Sequence, residues 1–435
     1  MSTLDVRRFI DERPFGTYQR GIIALCTLLC MVDGFDVQAI AFAAPAIARD
    51  WGIDPKSFGP VFGAGLFGLT IGALVAGTVA DRIGRRPALI LSVIVFGIFS
   101  LLTPVAADAT QLALLRFATG LGLGGAVPNI ITLTSEYAPE RLRATVVTVT
   151  FCGFPLGATI GGLLSALLMP HWGWQAVFYI GGIAPLLMAV WLARSLPESA
   201  RFLVVRDYPV ERIKKVLSAI DPRANLAAYT AFTLGEGSAA AGGTQVAQLF
   251  REGRAARTLL LWLIFFMNLL AMYFLVNWLP ILFQRSGLSP ERAIFATIVM
   301  NAGGIAGGLA LGRAIDRLGA RGVLIAVSLC ATVLVAATGF FGGEMAVLAV
   351  LVFFVGFCVV GGQMGFNAFA ASAYPTSMRA TGVGWALGVG RIGSVIGPVA
   401  GGVLLMAGAS LRDILLICSV APLVAALALV ALRTR

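Results

Sequence analysis

Four charged side chains lie inside stretches that are otherwise apolar, and they set the chemistry open to this chain. Asp33 and Asp36 stand within MVDGFDVQAIAFAAPAI, residues 31–47. Burying an ionisable group in such a stretch costs about 2.5–3.5 kcal/mol when the segment crosses a membrane, so a charge kept there usually faces a cavity and serves function. The i, i+3 spacing puts both acids on one helical face, above Val37 and Ile40. Two carboxylates this close in a poorly hydrated site resist joint ionisation, which suits the pair to taking up and releasing a proton. The alternative is that one acid only pairs with an arginine to hold helices together. Arg116 and Arg391 are the cations at comparable depth. Arginine keeps its proton at physiological pH, so each is a fixed charge that can neutralise an acid or grip a carboxylate bidentately. Arg116 is expected to meet Asp33 or Asp36. Arg391, with no acid in its own segment, is expected to attract an anion, to close contacts across a cavity, or to pack against backbone carbonyls.

Polar pairs suggest where a small molecule would sit. Tyr273 and Asn277 are four apart, as are Gln363 and Asn367, so each pair shares a helical face. Their hydroxyl and amides can bind a phenol or a carboxylate, or can bond between helices. Trp278, Trp385, Phe151 and Phe154 can stack on an aromatic ring, although most of the 28 Phe must face lipid or neighbouring helices.

These residues need elements that hold them in a membrane. Hydrophobic residues make up 58% of the 435 and charged ones only 12%, too few to cover a water-facing surface. About 20 apolar residues per helix span the hydrocarbon core, which gives twelve spans: 20–44, 57–79, 88–107, 110–133, 146–169, 175–195, 258–283, 291–313, 322–341, 345–370, 380–406 and 410–432. The runs are continuous rather than alternating, which excludes a transmembrane barrel. The net charge of +11 follows topology. One side collects Arg7, Arg8, Arg13 and Arg20, the loop arginines 82, 85, 86, 141, 143, 313, 317, 321 and 379, the basic central stretch, and Arg433 and Arg435. The other side has Arg49, Lys56, Arg285, Arg292 and Arg412. Both termini are therefore expected in the cytoplasm, and the charge gives no reason to invoke nucleic acid.

The chain also repeats itself. ADRIGRR at 80–86 recurs as IDRLGAR at 315–321, and SEYAPERLRAT at 135–145 recurs as SAYPTSMRAT at 372–381, at a nearly constant offset. Two related six-helix halves are expected, 1–195 and 258–435, with a cavity between them near the membrane midplane. The stretch 196–257 reads as a cytoplasmic loop with short surface helices, one of them at 209–220. There is no GxxxxGK[ST] segment, and the six cysteines sit singly or in one pair inside apolar runs. His171, the single histidine, stands beside WGW as an interfacial residue. No nucleophile–base constellation or metal cluster is present to suggest an enzyme. Glycines 120, 122, 124 and 125, and 384, 388, 390, 393 and 397, permit close helix approach.

GTVADRIGRRP (77–87), RFATGLGLGG (116–125) and PESARFL (197–203) resemble the motifs of the major facilitator superfamily, over essentially the whole chain. MVDGFDVQAIAFAAPAIARDWG (31–52) is similar to the DGxD region of its aromatic acid:proton symporter family, and YPTSMRATGVGWALGVGRIGSVIGP (374–398) to that family's eleventh-span region. The resemblance implies an all-α integral membrane protein with two pseudo-symmetric halves that works by alternating access. It also implies proton-driven import of a small aromatic carboxylate of the hydroxybenzoate or protocatechuate type across a bacterial inner membrane. Asp33, Asp36 and Arg116 would then couple the proton. Arg391, Gln363, Asn367, Tyr273, Asn277, Trp278, Trp385 and Phe154 would surround the substrate. Asp81, Arg85, Arg86, Glu136, Arg143, Asp316, Arg317 and Arg379 would act as gates, with Ala373 standing where a second Glu136 would be expected. No cofactor is expected beyond the proton, and the chain is expected to work as a monomer in lipid. Symporters of sialate or small aliphatic acids can carry similar first-span acids, and a drug/proton antiporter is a further alternative.

Overall fold

The computed structural model describes residues 2–234, 246–251, 254–340, 344–374 and 379–432. Twelve helices are long and apolar enough to cross a membrane. In the first half they are α2 (Thr17–Trp51), α3 (Phe58–Ile83), α4 (Arg85–Leu102), α5 (Ala109–Tyr137), α6 (Arg143–Trp172) and α7 (Gln175–Ser195), after a short α1 (Val6–Asp11). In the second half they are α10 (Ala255–Arg285), α11 (Pro290–Leu318), α12 (Ala320–Gly339), α13 (Met345–Ala373), α14 (Arg379–Met406) and α15 (Leu411–Ala431). Several run a turn or more beyond the expected spans, because a helix continues past the hydrocarbon core until a breaker ends it. Gly52, in the left-handed region at φ 64°, ends α2. Gly84 and Gly319, the repeated glycines of the two arginine-rich loops, take φ 107° and 86° and turn α3 into α4 and α11 into α12.

Helix approach within each half depends on missing side chains. A Cβ on Gly68 or Gly72 of α3 would strike the carbonyls of Phe117 and Leu121 on α5, and Gly120 and Gly124 of α5 are blocked in return by Gly65 and Leu69. The second half repeats the device where Gly303 and Gly307 of α11 meet the backbone of Phe353 and Phe357 on α13. Without a hydrophobic driving force between helices in lipid, this close van der Waals contact holds the bundle. Leu74, Val105, Leu167, Leu187, Leu309 and Val333 point outward, as a lipid-facing surface requires.

The halves meet along a seam that runs from mid-membrane to the end opposite the termini. Gly59 and Gly402 touch backbone to backbone, and Gly162 of α6 faces Ile298 of α11. Phe62 packs edge-on against Trp278 at 5.3 Å. Asn301 donates to Gln38 at 3.1 Å in the buried part of the seam, and Arg285 pairs with Asp54 at 2.9 Å on its rim. The Lys56 backbone N–H, with the Lys56 and Arg285 charges, holds the Asp54 carboxyl below the usual carboxylate range despite a small opposing effect of burial.

The segment after α7 packs on the first half. It contains α8 (Ala200–Val205) and the amphipathic α9 (Val210–Ile220), which buries Ile213, Val216, Leu217 and Ile220. The Glu198 carboxylate accepts the backbone N–H groups of Arg85 and Arg86 at 3.0 and 3.3 Å, and Tyr137 donates its hydroxyl to the Glu198 carbonyl. The expectation of surface helices alone needs correction, because β2 (Tyr229–Thr233) pairs in parallel with β1 (Ser2–Asp5) from the start of the chain. Two strands of four and five residues carry too little periodicity to be read, and their pairing is non-local. Arg13 also reaches this segment, bonding Asp221 at 2.6 Å.

This last pair yields a prediction outside the membrane. The Arg13 guanidinium holds the Asp221 carboxyl below its ordinary value. A depressed folded-state value means that the pair contributes above the unfolded carboxylate's pKa and is lost as pH falls through the lower folded value. The pair is partly exposed, so its contribution is at most about 1 kcal/mol. Protection of the 210–226 amides relative to their intrinsic exchange should therefore be steady from neutral pH down to the carboxylate range and weaker below it. Arg13→Ala should give the weaker protection already at neutral pH.

Candidate functional site

The mid-membrane part of α2 is walled by α4, α5 and α7 on one side, and there the two acids take different environments. Asp36 is fully buried and satisfied. Arg116 of α5 donates through Nη2 to its Oδ2 at 3.0 Å and to its backbone carbonyl at 3.1 Å, and Ser100 of α4 donates to Oδ1 at 2.5 Å. Gly181 of α7 makes room for this group, since a Cβ there would sit 3.3 Å from the Asp36 carboxylate and 3.1 Å from the Ser100 hydroxyl. The Arg116 guanidinium lies 5.8 Å from the Phe178 ring centroid. Of the two acids open to Arg116 on sequence grounds, the geometry selects Asp36. Ser100 was not anticipated, because a lone serine in an apolar span carries no signal until its partner is known.

Asp33 is equally buried, yet neither of its carboxyl oxygens has a hydrogen-bond partner. An ionised carboxylate cannot be held that way at reasonable cost, whereas a neutral acid can. Leu29, Asp33 and Val37 follow one another at four-residue steps and so share a face of α2. Leu29 and Val37 belong to one apolar cluster with Leu269 and Tyr273 of α10. Helix α2 is also in contact with α10 of the second half.

On that second half, Arg391 of α14 donates to the Tyr273 hydroxyl at 3.4 Å and makes no ion pair among the described residues. Asn277 turns back to the Tyr273 carbonyl at 2.7 Å and lines a small mid-membrane cavity together with Arg116, Val37, Ile40 and Phe62. Gln363 and Asn367 bond to each other at 3.0 Å, and Asn268 of α10 donates to Gln363 at 2.8 Å. The result is a run of three amides that ends at the exposed Asn367. Asn268 escaped the sequence reading; its signal is an amide alone inside the leucine-rich run of α10.

The aromatic candidates do not gather at this site. Trp278 is fully buried, donates its indole N–H to the Pro398 carbonyl at 2.8 Å and seals the seam. Trp385 stacks on Trp262 at 5.7 Å, on a different face of α14 from Arg391. Phe154 presents its backbone carbonyl to Gly34, while Phe151 is half-buried on the same helix. Trp278 and Trp385 are thus held away from the polar groups of the site by their indole partners.

The arginine-rich loops differ between the halves. Asp81 pairs with Arg85 at 2.7 Å, Arg206 bonds the Asp81 carbonyl, and Arg86 reaches the Ala193 carbonyl. Arg143 bonds the Ser135 carbonyl at 3.2 Å, and Glu136 keeps one buried oxygen without a partner. Asp316 and Arg317 are exposed and form no ion pair among the described residues, whereas Arg321 bonds the carbonyls of Leu429 and Val430. The Arg379 side chain lies outside the described residues. Every partner just named is within the residue's own half or the segment packed on the first half, so among the described residues no gating pair is brought together across the halves. His171 is exposed at the far end of α6.

A sequence model described as Major Facilitator Superfamily matches residues 26–398 and again 261–435. A 4-hydroxybenzoate transporter of Pseudomonas putida is 44% identical over 413 residues, covering 95% of this chain and 92% of its own. A gallate transporter of the same species is 41% identical over 432 residues, covering 98% and 95%. Among solved structures, an inward open conformation of the xylose transporter of E. coli superposes with a TM-score of 0.75 over 96% of each chain at 17% identity, a likeness of fold alone.

The Asp36–Arg116 pair predicts a stability effect. Asp36→Ala leaves a buried guanidinium without its counter-charge and should cost about 3–5 kcal/mol, seen as a marked fall in the detergent unfolding temperature. Asp36→Asn combined with Arg116→Gln removes both charges and should recover a substantial part of that loss.

Proposed function

The chain belongs to the major facilitator superfamily, and on that premise we propose that it is a symporter importing a small aromatic carboxylate of the hydroxybenzoate type together with a proton, by alternating access. The observation that carries this reading is the unequal treatment of the two acids. Asp36 is balanced by Arg116, while Asp33 is equally buried with no hydrogen-bond partner. Asp33 is the group that takes up and releases the proton. Asp36 is held in its ion pair by Arg116 and by the Ser100 hydroxyl. Arg391, steadied by the Tyr273 hydroxyl, attracts the substrate carboxylate. The amide run that ends at Asn367 meets ring hydroxyls.

The substrate class rests on relatives that carry 4-hydroxybenzoate and gallate, both hydroxylated benzoates. They favour an aromatic acid over sialate or an aliphatic acid. The basic residues place both termini in the cytoplasm in this reading, so that the seam closes the outer side. The protein lies in the bacterial inner membrane as a monomer and needs no cofactor other than the proton.

Two measurements in proteoliposomes test the reading. An outside-acid pH gradient should drive accumulation of labelled 4-hydroxybenzoate with protons moving in the same direction, and Asp33→Asn should abolish that accumulation at normal expression. Protons moving against the substrate would indicate an antiporter instead. Asn367→Leu should weaken 4-hydroxybenzoate uptake severalfold while sparing benzoate; equal losses for both would remove the amides from ring recognition.

A further inference from the structure

A second cavity lies between the halves at the end opposite the termini, away from the mid-membrane charges. About 550 Å³ of space opens between the end of α2, the end of α6, the turn into α7 and the start of α11, so both halves build it. Ser165 lines it with a fully buried hydroxyl that has no hydrogen-bond partner. Buried hydroxyls are normally bonded, because leaving one unpaired forfeits its hydration for nothing. Arg49, Asp50 and Glu291 line the same cavity and are exposed, so they form its mouth. The Trp174 indole N–H donates to Asp50 Oδ2 at 3.1 Å, and the Arg49 guanidinium enters no ion pair among the described residues.

The surroundings place this cavity at the level of lipid headgroups. Trp51 and Trp174 meet edge to face at 6.0 Å beside it, and Trp172 is exposed next to them. Such rings collect where hydrocarbon gives way to water. Both walls then continue into the membrane as lipid-facing stripes. Leu163 and Leu167 lead to Pro170 at helical spacing on α6, and Phe295 lies one turn beyond Glu291 on α11; all three apolar side chains are exposed.

We propose that the cavity seats the headgroup of a phospholipid carrying a primary ammonium, of the phosphatidylethanolamine type, and that the seated lipid holds the halves together at this end. Charge selects it. The mouth sets two acids against one cation, so a ligand that brings a positive group is favoured, whereas an aromatic carboxylate would add to the excess negative charge. The unpaired Arg49 can grip the phosphate bidentately, and the ammonium supplies three donors for Asp50 and Glu291. The deep Ser165 hydroxyl donates to a phosphate or ester oxygen, and the acyl chains follow the two apolar stripes. A choline headgroup has no N–H and a glycerol headgroup has no cation, so neither satisfies the acids. Because α2 and α6 belong to one half and α11 to the other, the site exists only while the seam is closed. A ligand that binds one state alone shifts the population toward it.

Only the leaflet, the outer one, depends on the orientation given above. Nanodiscs offer both leaflets and need no transport, so the test stands apart from the symport reading. Amide exchange of the full chain is compared in discs of phosphatidylethanolamine and of phosphatidylcholine, each mixed with the same share of phosphatidylglycerol. Residues 46–50, 165–175 and 290–294 should exchange severalfold more slowly in the ethanolamine discs, while α9 at the other end should not differ. Asp50→Asn with Glu291→Gln should erase the difference, and Asn at 50 still offers Trp174 an acceptor. Ser165→Ala should reduce it without weakening protection in the choline discs. If the double variant folds poorly, Arg49→Gln, at an exposed position, carries the same expectation. Equal protection in both discs, or a difference that survives these variants, overturns the proposal. Equal protection from soluble phosphoethanolamine in choline discs would assign a free zwitterion and remove the lipid. Protection by 4-hydroxybenzoate at these segments, lost in Arg49→Gln, would give the cavity to the anion and also overturn it.

Discussion

Charge neutrality in a medium that cannot solvate charge is the constraint around which this protein is arranged. The ion pair between Asp36 and Arg116 is where that constraint is met most directly. Three helices contribute to it: α2 brings the acid, α5 the arginine and α4 the Ser100 hydroxyl that occupies the other carboxylate oxygen. A fourth helix, α7, contributes by having nothing there, because only Gly181 leaves space for the carboxylate and the serine together. A buried pair of this kind adds little net stability compared with apolar side chains of the same volume. It fixes a balanced pair three residues from a second buried acid, Asp33, that has no hydrogen-bond partner.

The glycine-mediated contacts explain how that geometry is kept rigid. Gly68 and Gly72 of α3 lie against the backbone of α5, which carries Arg116, so small sideways shifts of the arginine would drive Cα atoms into carbonyls. On the other face of α2, Gly34 receives the Phe154 carbonyl of α6 one residue away from Asp33. Both helices that present the charges are thereby fixed by backbone contact. Larger side chains would have left them free to adjust through rotamer changes. The segment 196–234 reinforces the same half from its terminal end, through Glu198 on the N-terminus of α4 and through the strand pair with residues 2–5.

The parts that could be read from the sequence were those with a signal along the chain. Apolar run length marked the twelve spans, and two acids in an apolar run pointed to the part of α2 that the structure buries around Arg116. Interactions between distant segments were not legible. Nothing in the spacing distinguishes Asp33 from Asp36 as the partner of Arg116, because both lie on the same face of α2 and the choice is made by where α5 crosses. Ser100 and Asn268 are ordinary residues until α4 and α10 bring them to Asp36 and Gln363. Trp278 and Trp385 misled for a related reason. Aromatic rings were offered to a ligand on residue type alone, whereas the structure uses one indole to close the seam and stacks the other on Trp262.

The two halves also differ in what they leave unfinished. In the first half Asp36 is balanced by Arg116, the arginine-rich loop is bonded to its own helix ends, and the adjoining segment is packed in place. The second half holds an arginine without an acid, an amide run ending in the open, and an exposed Asp316–Arg317 loop that no ion pair ties down among the described residues. The seam between them is weak in its polar part. One neutral amide pair, Gln38–Asn301, contributes about 0.5–1.5 kcal/mol, and the exposed Asp54–Arg285 pair at most about 1 kcal/mol. Contacts of that size are small beside a buried charge, since one unbalanced carboxylate or guanidinium at mid-membrane depth outweighs the polar contacts of the seam combined.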